Sequence, residues 1–194
     1  MMCLPSVLVS LLNGILSSIS QSAVAFFGAY YKLQTFIYMP TSGIVQGMRP
    51  LMSYNYGAKL KERMHQILKV SGLVIAAILG AGTLLFFIVP NVLLSLFNAS
   101  SGMLEIGETG LRILSLSFIV SSFGVLMSGV FEALGLGKYS LIVSLLRQLL
   151  ITVPLAYILL NIMGIEGIWL SFVIAEAIAS IVAYILYHKK FKTI

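Results

Sequence analysis

Residues 66–90 read QILKVSGLVIAAILGAGTLLFFIVP, and after Lys69 no charged side chain appears before Pro90. A helix needs roughly 20 mostly apolar residues to cross a hydrocarbon core of ~30 Å. In lipid every backbone N–H and C=O must bond within the protein, which leaves helices or closed barrels. A barrel strand shows alternation over ~10 residues; this run is continuous, so it is a spanning helix. Working outward, the chain repeats the pattern. Apolar runs lie at about 4–19, 22–51, 66–89, 109–133, 139–162 and 167–187. The fold class expected is an all-α membrane protein, a six-transmembrane-helix bundle forming a single domain over 1–194.

Composition agrees: 59% of the 194 residues are hydrophobic and 9% charged, against about 25% charged in a soluble domain. The net charge of +6 does not point to nucleic acid, because the basic residues form no stripe or recognition motif. They sit at the ends of apolar runs. Cys3 is the single cysteine, which excludes an internal disulfide and a thiolate metal site. The first twenty residues lack the basic start and the cleavage site of a signal peptide, so they belong to a span.

The loops set the orientation. Lys59, Lys61 and Arg63 follow the second run, Lys138 lies between the fourth and fifth, and Lys189, Lys190 and Lys192 end the chain. The opposite loops carry Glu105, Glu108 and Glu166 and no basic residue. Lys and Arg collect on the cytoplasmic side, which places the basic loops and the C-terminus in the cytoplasm and Asn91–Glu108 outside. Asn98-Ala99-Ser100 matches a glycosylation tripeptide on that outer side, a pattern common by chance.

Ionisable residues within spans are costly and are the first functional suspects. At 1.5 Å per residue, Lys32 lies ~15 Å and Glu176 ~14 Å from the outer edge, and Arg147 ~12 Å from the inner edge. The fifth and sixth runs form a tight hairpin, so Arg147 and Glu176 are positioned to pair, with Lys32 as a second partner for Glu176. The three residues are candidates for ion coupling or substrate binding; the alternative is a structural ion pair. Asn13, Gln148 and the Ser121–Ser122 pair are polar at span depth, where such groups are more often interhelical glue than ligand. Arg49 and Lys69 can snorkel to the inner interface, and Glu132 reads as an interfacial, solvated carboxylate. Arg112 follows Glu108 by four residues, a helical ion-pair spacing. The second run is interrupted near its end by Pro40, Gly43, Gly47 and Pro50. Proline bends a helix, GxxxG allows close approach, and broken helices with polar residues such as Gln46 mark transporter binding sites. These four positions and Pro154 are hinge candidates. There is no Asp, no His cluster and no P-loop, so neither a resident metal nor another cofactor is expected, and no enzyme.

Two blocks carry a family resemblance. FFGAYYKLQTFIYMPTSGIVQGMRPLMSYNYGAK at 26–59 resembles the eighth helix and following loop of multidrug and toxin extrusion (MATE) transporters. LGLGKYSLIVSLLRQLLITVPLAYIL followed by GIEGIWLSFVIAEAIA is similar to their tenth-to-twelfth-helix region. The resemblance implies one lobe, the C-terminal one, of a twelve-helix transporter whose two lobes flank a central cleft. It implies exchange of Na⁺ or H⁺, as coupling ion, for drugs, organic cations or other amphiphiles across the plasma membrane. The N-terminal lobe has no counterpart here, so a half-transporter is expected, working with that missing lobe or a second copy. Asn13 matches a polar position of the family's seventh helix, but the acids some members carry in the seventh and tenth helices are not found. Lys32, Arg147 and Glu176 match recurring positions. Two alternatives remain: a lipid-linked saccharide flippase of the same superfamily, which a cationic cleft of Lys32, Arg49, Arg112 and Arg147 would favour, and a non-transporting membrane scaffold.

Overall fold

A computed structural model describes residues 4–191, with side chains to Lys189; Cys3 and Lys192, and the side chain of Lys190, lie outside the described residues. The described chain is helical throughout: α1 Leu4–Ser17, α2 Gln21–Gly57, α3 Lys61–Ile88, α4 Pro90–Ser95, α5 Ser101–Ala133, α6 Gly137–Leu145, a π-helical turn Leu146–Leu150, α7 Thr152–Met163 and α8 Ile165–Phe191. By length and composition, Lys61–Ile88, Ser101–Ala133, Gly137–Met163 and Ile165–Lys189 can each cross a membrane. The first helix is apolar but only 14 residues long. The second is 37 residues long and contains Lys32, Gln34, Gln46 and Arg49 among its apolar residues. Several helices outrun their apolar stretches, because a helix can continue past the lipid edge with polar side chains.

Local chemistry explains where the helices start and stop. Ser20 caps α2 by accepting from Ala23 N at 3.1 Å, and Ser100 caps α5 by accepting from Met103 N, each satisfying an amide the helix leaves open. Between α7 and α8, Gly164 has φ +69°, and a Cβ on Gly167 would strike the Leu159 carbonyl. Only glycine fits both demands, so these two residues set the hairpin that holds α7 against α8.

At the centre runs α5, packed by α2, α3, α4, α6 and α8. Its buried residues include Gly107, Gly110, Ser115, Ser117, Ser121, Gly124 and Gly129. Small residues let backbones approach where lipid supplies no hydrophobic drive between helices. Into the gaps fit aromatic rings: a Cβ on Gly110 would meet Phe26 at 2.7 Å and Trp169 at 3.2 Å. Phe26 meets Trp169 edge-on at 5.0 Å, and Phe118 meets Phe86 at 5.1 Å. Large exposed apolar side chains such as Leu73, Ile88, Ile162 and Ile181 cover the outer surface and suit lipid.

The expected break near Pro40–Pro50 is not made: α2 runs unbroken through both prolines. Both rings lie on the exposed side of the helix, so each costs one intrahelical bond without forcing a neighbour aside. Gly43 and Gly47 have nothing within 4 Å, so their GxxxG spacing packs against no helix among the described residues. The irregularity lies instead at Leu146–Leu150, one turn before Pro154. Proline lacks the N–H that the Leu150 carbonyl would accept, and Ile151 N bonds back to Leu146 O at 3.1 Å, the wider register of a π turn.

Gly167→Ala is expected to destabilise the chain by about 1–3 kcal/mol through overpacking at the hairpin. Gly47→Ala, in open space within a helix, should be neutral or stabilising by up to about 1 kcal/mol. Thermal unfolding in detergent, followed by Trp169 fluorescence, distinguishes the two.

Candidate functional site

The hairpin of α7 and α8 carries Arg147, on the π turn, against α8, where Arg147 Nε lies 3.4 Å from Glu176 Oε1. The two side chains are 20% and 13% exposed, so the charges are largely withdrawn from water and each needs the other. The pair forms one wall of a cleft of about 390 Å³. Gln148 lies next to Arg147 on the same turn. Pro5 and Leu8 of α1 close one side, Phe27, Tyr31, Gln34, Thr35, Tyr38, Met39 and Ser42 of α2 another, and Phe172 with Glu176 of α8 the third. A π turn at this point fits the tendency of such turns to occur at functional sites.

Hydrogen bonding divides the lining into spent and unspent groups. Tyr38 OH and Ser121 Oγ are 2.6 Å apart, joining α2 to α5. Thr35 Oγ1 donates to the Tyr31 carbonyl; outside the lining, Thr152 Oγ1 donates to the Arg147 carbonyl. By contrast, Glu176 Oε2 and Gln148 Oε1 are buried without a hydrogen-bond partner. Gln148, weighed from sequence mainly as interhelical glue, is therefore a wall of the cleft, and only the hairpin geometry reveals it.

The other sequence candidates fall elsewhere. Lys32 is exposed on α2, does not line the cleft, and makes no ion pair among the described residues; it does not partner Glu176, because Arg147 holds that place. Gln46 is likewise exposed on α2 and outside the cleft. Asn13 is half-buried on α1 with its Oδ1 unpartnered, and it too is not a lining residue. Pro40, Gly43, Gly47 and Pro50 share the exposed side of α2 with Lys32 and Gln46.

Two ion pairs lie outside the cleft. Arg112 Nη2 is 2.8 Å from Glu108 Oε1, as the four-residue spacing implies. Arg49 Nη2 is bonded to Glu132 Oε2, and Ser140 Oγ donates to Glu132 Oε1 at 2.9 Å. The two residues, read separately from sequence, are partners: α2 and α5 meet there, and the start of α6 adds its hydroxyl. Sequence separation of 83 positions hides such a contact from any local pattern.

The chain is thus a bundle with helices long and apolar enough to cross a membrane, and it carries an aromatic, acid-bearing cleft beside a broken helix. The chain belongs to the MatE family, whose profile matches residues 1–158. It is 26% identical over 190 residues to "Multidrug export protein MepA" of Staphylococcus saprophyticus, covering 94% of this chain and 42% of that protein. With the protein of the same name from Staphylococcus aureus it shares 26% identity over 175 residues, 90% of this chain and 38% of that one. Among solved structures, one described as the outward-facing conformation of a multidrug resistance MATE family transporter of the MOP superfamily superposes with a TM-score of 0.90 at 22% identity. That superposition covers 98% of this chain and 43% of the other. A MOP superfamily transporter from Pyrococcus furiosus superposes with a TM-score of 0.90 at 21% identity, over 97% of this chain and 43% of the other. The chain thus spans less than half the length of these proteins. MatE proteins are transporters and not enzymes.

Arg49→Met and Glu132→Gln should each destabilise the bundle, and a double-mutant cycle should give a coupling of about 1 kcal/mol, as for a partly solvated pair. Chemical unfolding in detergent measures it.

Proposed function

We propose that this chain forms the C-terminal lobe of a cation-coupled antiporter that exports drugs or organic cations in exchange for Na⁺ or H⁺. It works in the plasma membrane with its C-terminus in the cytoplasm, beside a second lobe. The observation that carries the proposal is the Glu176 carboxylate, buried at mid-span in an aromatic-lined cleft with one oxygen unspent. A cationic guest gains from that carboxylate and from ring faces, and a cavity of several hundred Å³ suits a drug-sized molecule. Alternating access requires one lobe to rock against another. The exposed side of α2, with Lys32, Gln46 and the open glycines, is the surface left for that second lobe, either a separate N-terminal lobe or a second copy.

The flippase alternative needs a cleft that attracts phosphate. Of the four cations that would serve it, Arg49 and Arg112 are tied to Glu132 and Glu108 outside the cleft. Lys32 does not line it, and Arg147 is balanced by Glu176. A scaffold with no transport role would not need the cleft at all.

Efflux-deficient cells expressing the chain with a co-expressed MATE N-terminal lobe should accumulate several-fold less ethidium than cells expressing either alone, and Glu176→Gln should abolish the difference. Unchanged accumulation with both lobes inserted in the membrane would contradict the proposal. Reduced accumulation by the chain alone would assign the second lobe to another copy.

A further inference from the structure

The cleft offers more hydrogen-bond acceptors than it satisfies, and this bears on its ligand. Glu176 Oε2 and Gln148 Oε1 come from different elements, α8 and the π turn, and both are buried without a partner. Some of the polar groups around them are occupied. Tyr38 OH is engaged with Ser121, the Thr35 hydroxyl with the Tyr31 carbonyl, and Arg147 Nε faces the other Glu176 oxygen. A carboxylate oxygen and an amide carbonyl can only accept, and burying an acceptor unpaired is costly. What these two oxygens lack is a donor.

We infer that the cleft selects a protonated amine with N–H donors, bonded to Glu176 Oε2 and Gln148 Oε1, over a cation of equal charge and shape that has none. The inference rests on the reading of this cleft as a ligand site. The walls agree with it: Phe27, Tyr31 and Phe172 supply ring faces for a flat apolar body, to which a permanent cation would also be drawn. Charge and ring faces alone do not separate the two ligand types; the unspent acceptors do. A divalent metal ion fits poorly, since it takes six or more oxygens and the single carboxylate here is already shared with Arg147. An anion fits worse, because it would lie beside the Glu176 carboxylate.

The purified chain in lipid nanodiscs tests this with two fluorescent probes of matched size and charge. 9-Aminoacridine, protonated at neutral pH, carries N–H donors; 10-methylacridinium carries none. Equilibrium binding should favour 9-aminoacridine by about tenfold or more, the effect of a hydrogen bond to a charged group. Gln148→Leu, which keeps the bulk and removes the acceptor, should weaken 9-aminoacridine by about tenfold and leave 10-methylacridinium unchanged. Glu176→Gln should weaken both. Equal binding of the two probes by the unmodified chain overturns the inference, as does an unaltered preference in Gln148→Leu or the absence of binding to a chain whose Trp169 emission shows it folded. If Gln148→Leu does not fold, the probe comparison on the unmodified chain still decides. Equal binding would leave the export proposal standing on the ethidium assay, whereas selective binding without export would remove only the latter.

Discussion

The close approach of helices to α5 is the constraint on which the rest of this bundle depends. Lipid is as apolar as the side chains it would replace, so helices associate through packing and hydrogen bonds and gain little from the hydrophobic effect. The fifth helix answers with glycine and serine along its buried faces. Phe26 and Trp169 fill the space over Gly110, and Val45 fills that over Gly129. Three neighbours add a hydrogen bond each: Thr83 of α3 to the Ser115 carbonyl, Ser180 of α8 to the Val120 carbonyl, and Tyr38 of α2 to Ser121. With α2 and α8 fixed on α5, the two long walls of the cleft are fixed as well.

The cleft then follows from one irregularity. A straight helix through residues 137–163 would continue its α register past Arg147. The π turn and Pro154 interrupt it, and both Arg147 and Gln148 lie along the cavity. Arg147 meets the carboxylate of α8, and the pair keeps an otherwise prohibitive charge inside the bundle. The same turn leaves the Gln148 oxygen without a bond. In the proposed function, a guest bearing a donor would satisfy that acceptor while bound.

Much of this was legible in the sequence. Unbroken apolar runs gave the helical membrane class, and the two quoted blocks gave the family. Depth counting from the runs put Arg147 and Glu176 at similar levels, and the short link through Gly164 made them neighbours. What sequence could not show was side-to-side placement. Lys32 has the same depth as Glu176 but lies on the exposed side of α2, and depth alone does not separate the two cases. The Arg49–Glu132 contact joins helix ends far apart in the chain. Pro40 and Pro50 look like breaks because proline usually ends a helix; on an exposed helix face their missing bonds are tolerated. The π turn has no marker beyond Pro154, whose effect on the preceding turn depends on tertiary packing.

The central claim is that Arg147 and Glu176 meet as a buried pair and so shape the cleft. Exchanging their charges tests it most directly. Arg147→Glu alone and Glu176→Arg alone each leave like charges buried together and should cost about 3–5 kcal/mol or more. The double exchange should recover most of that loss when unfolding in detergent is followed by Trp169 fluorescence. Losses that simply add in the double variant would mean that the two side chains do not meet, and would contradict the account.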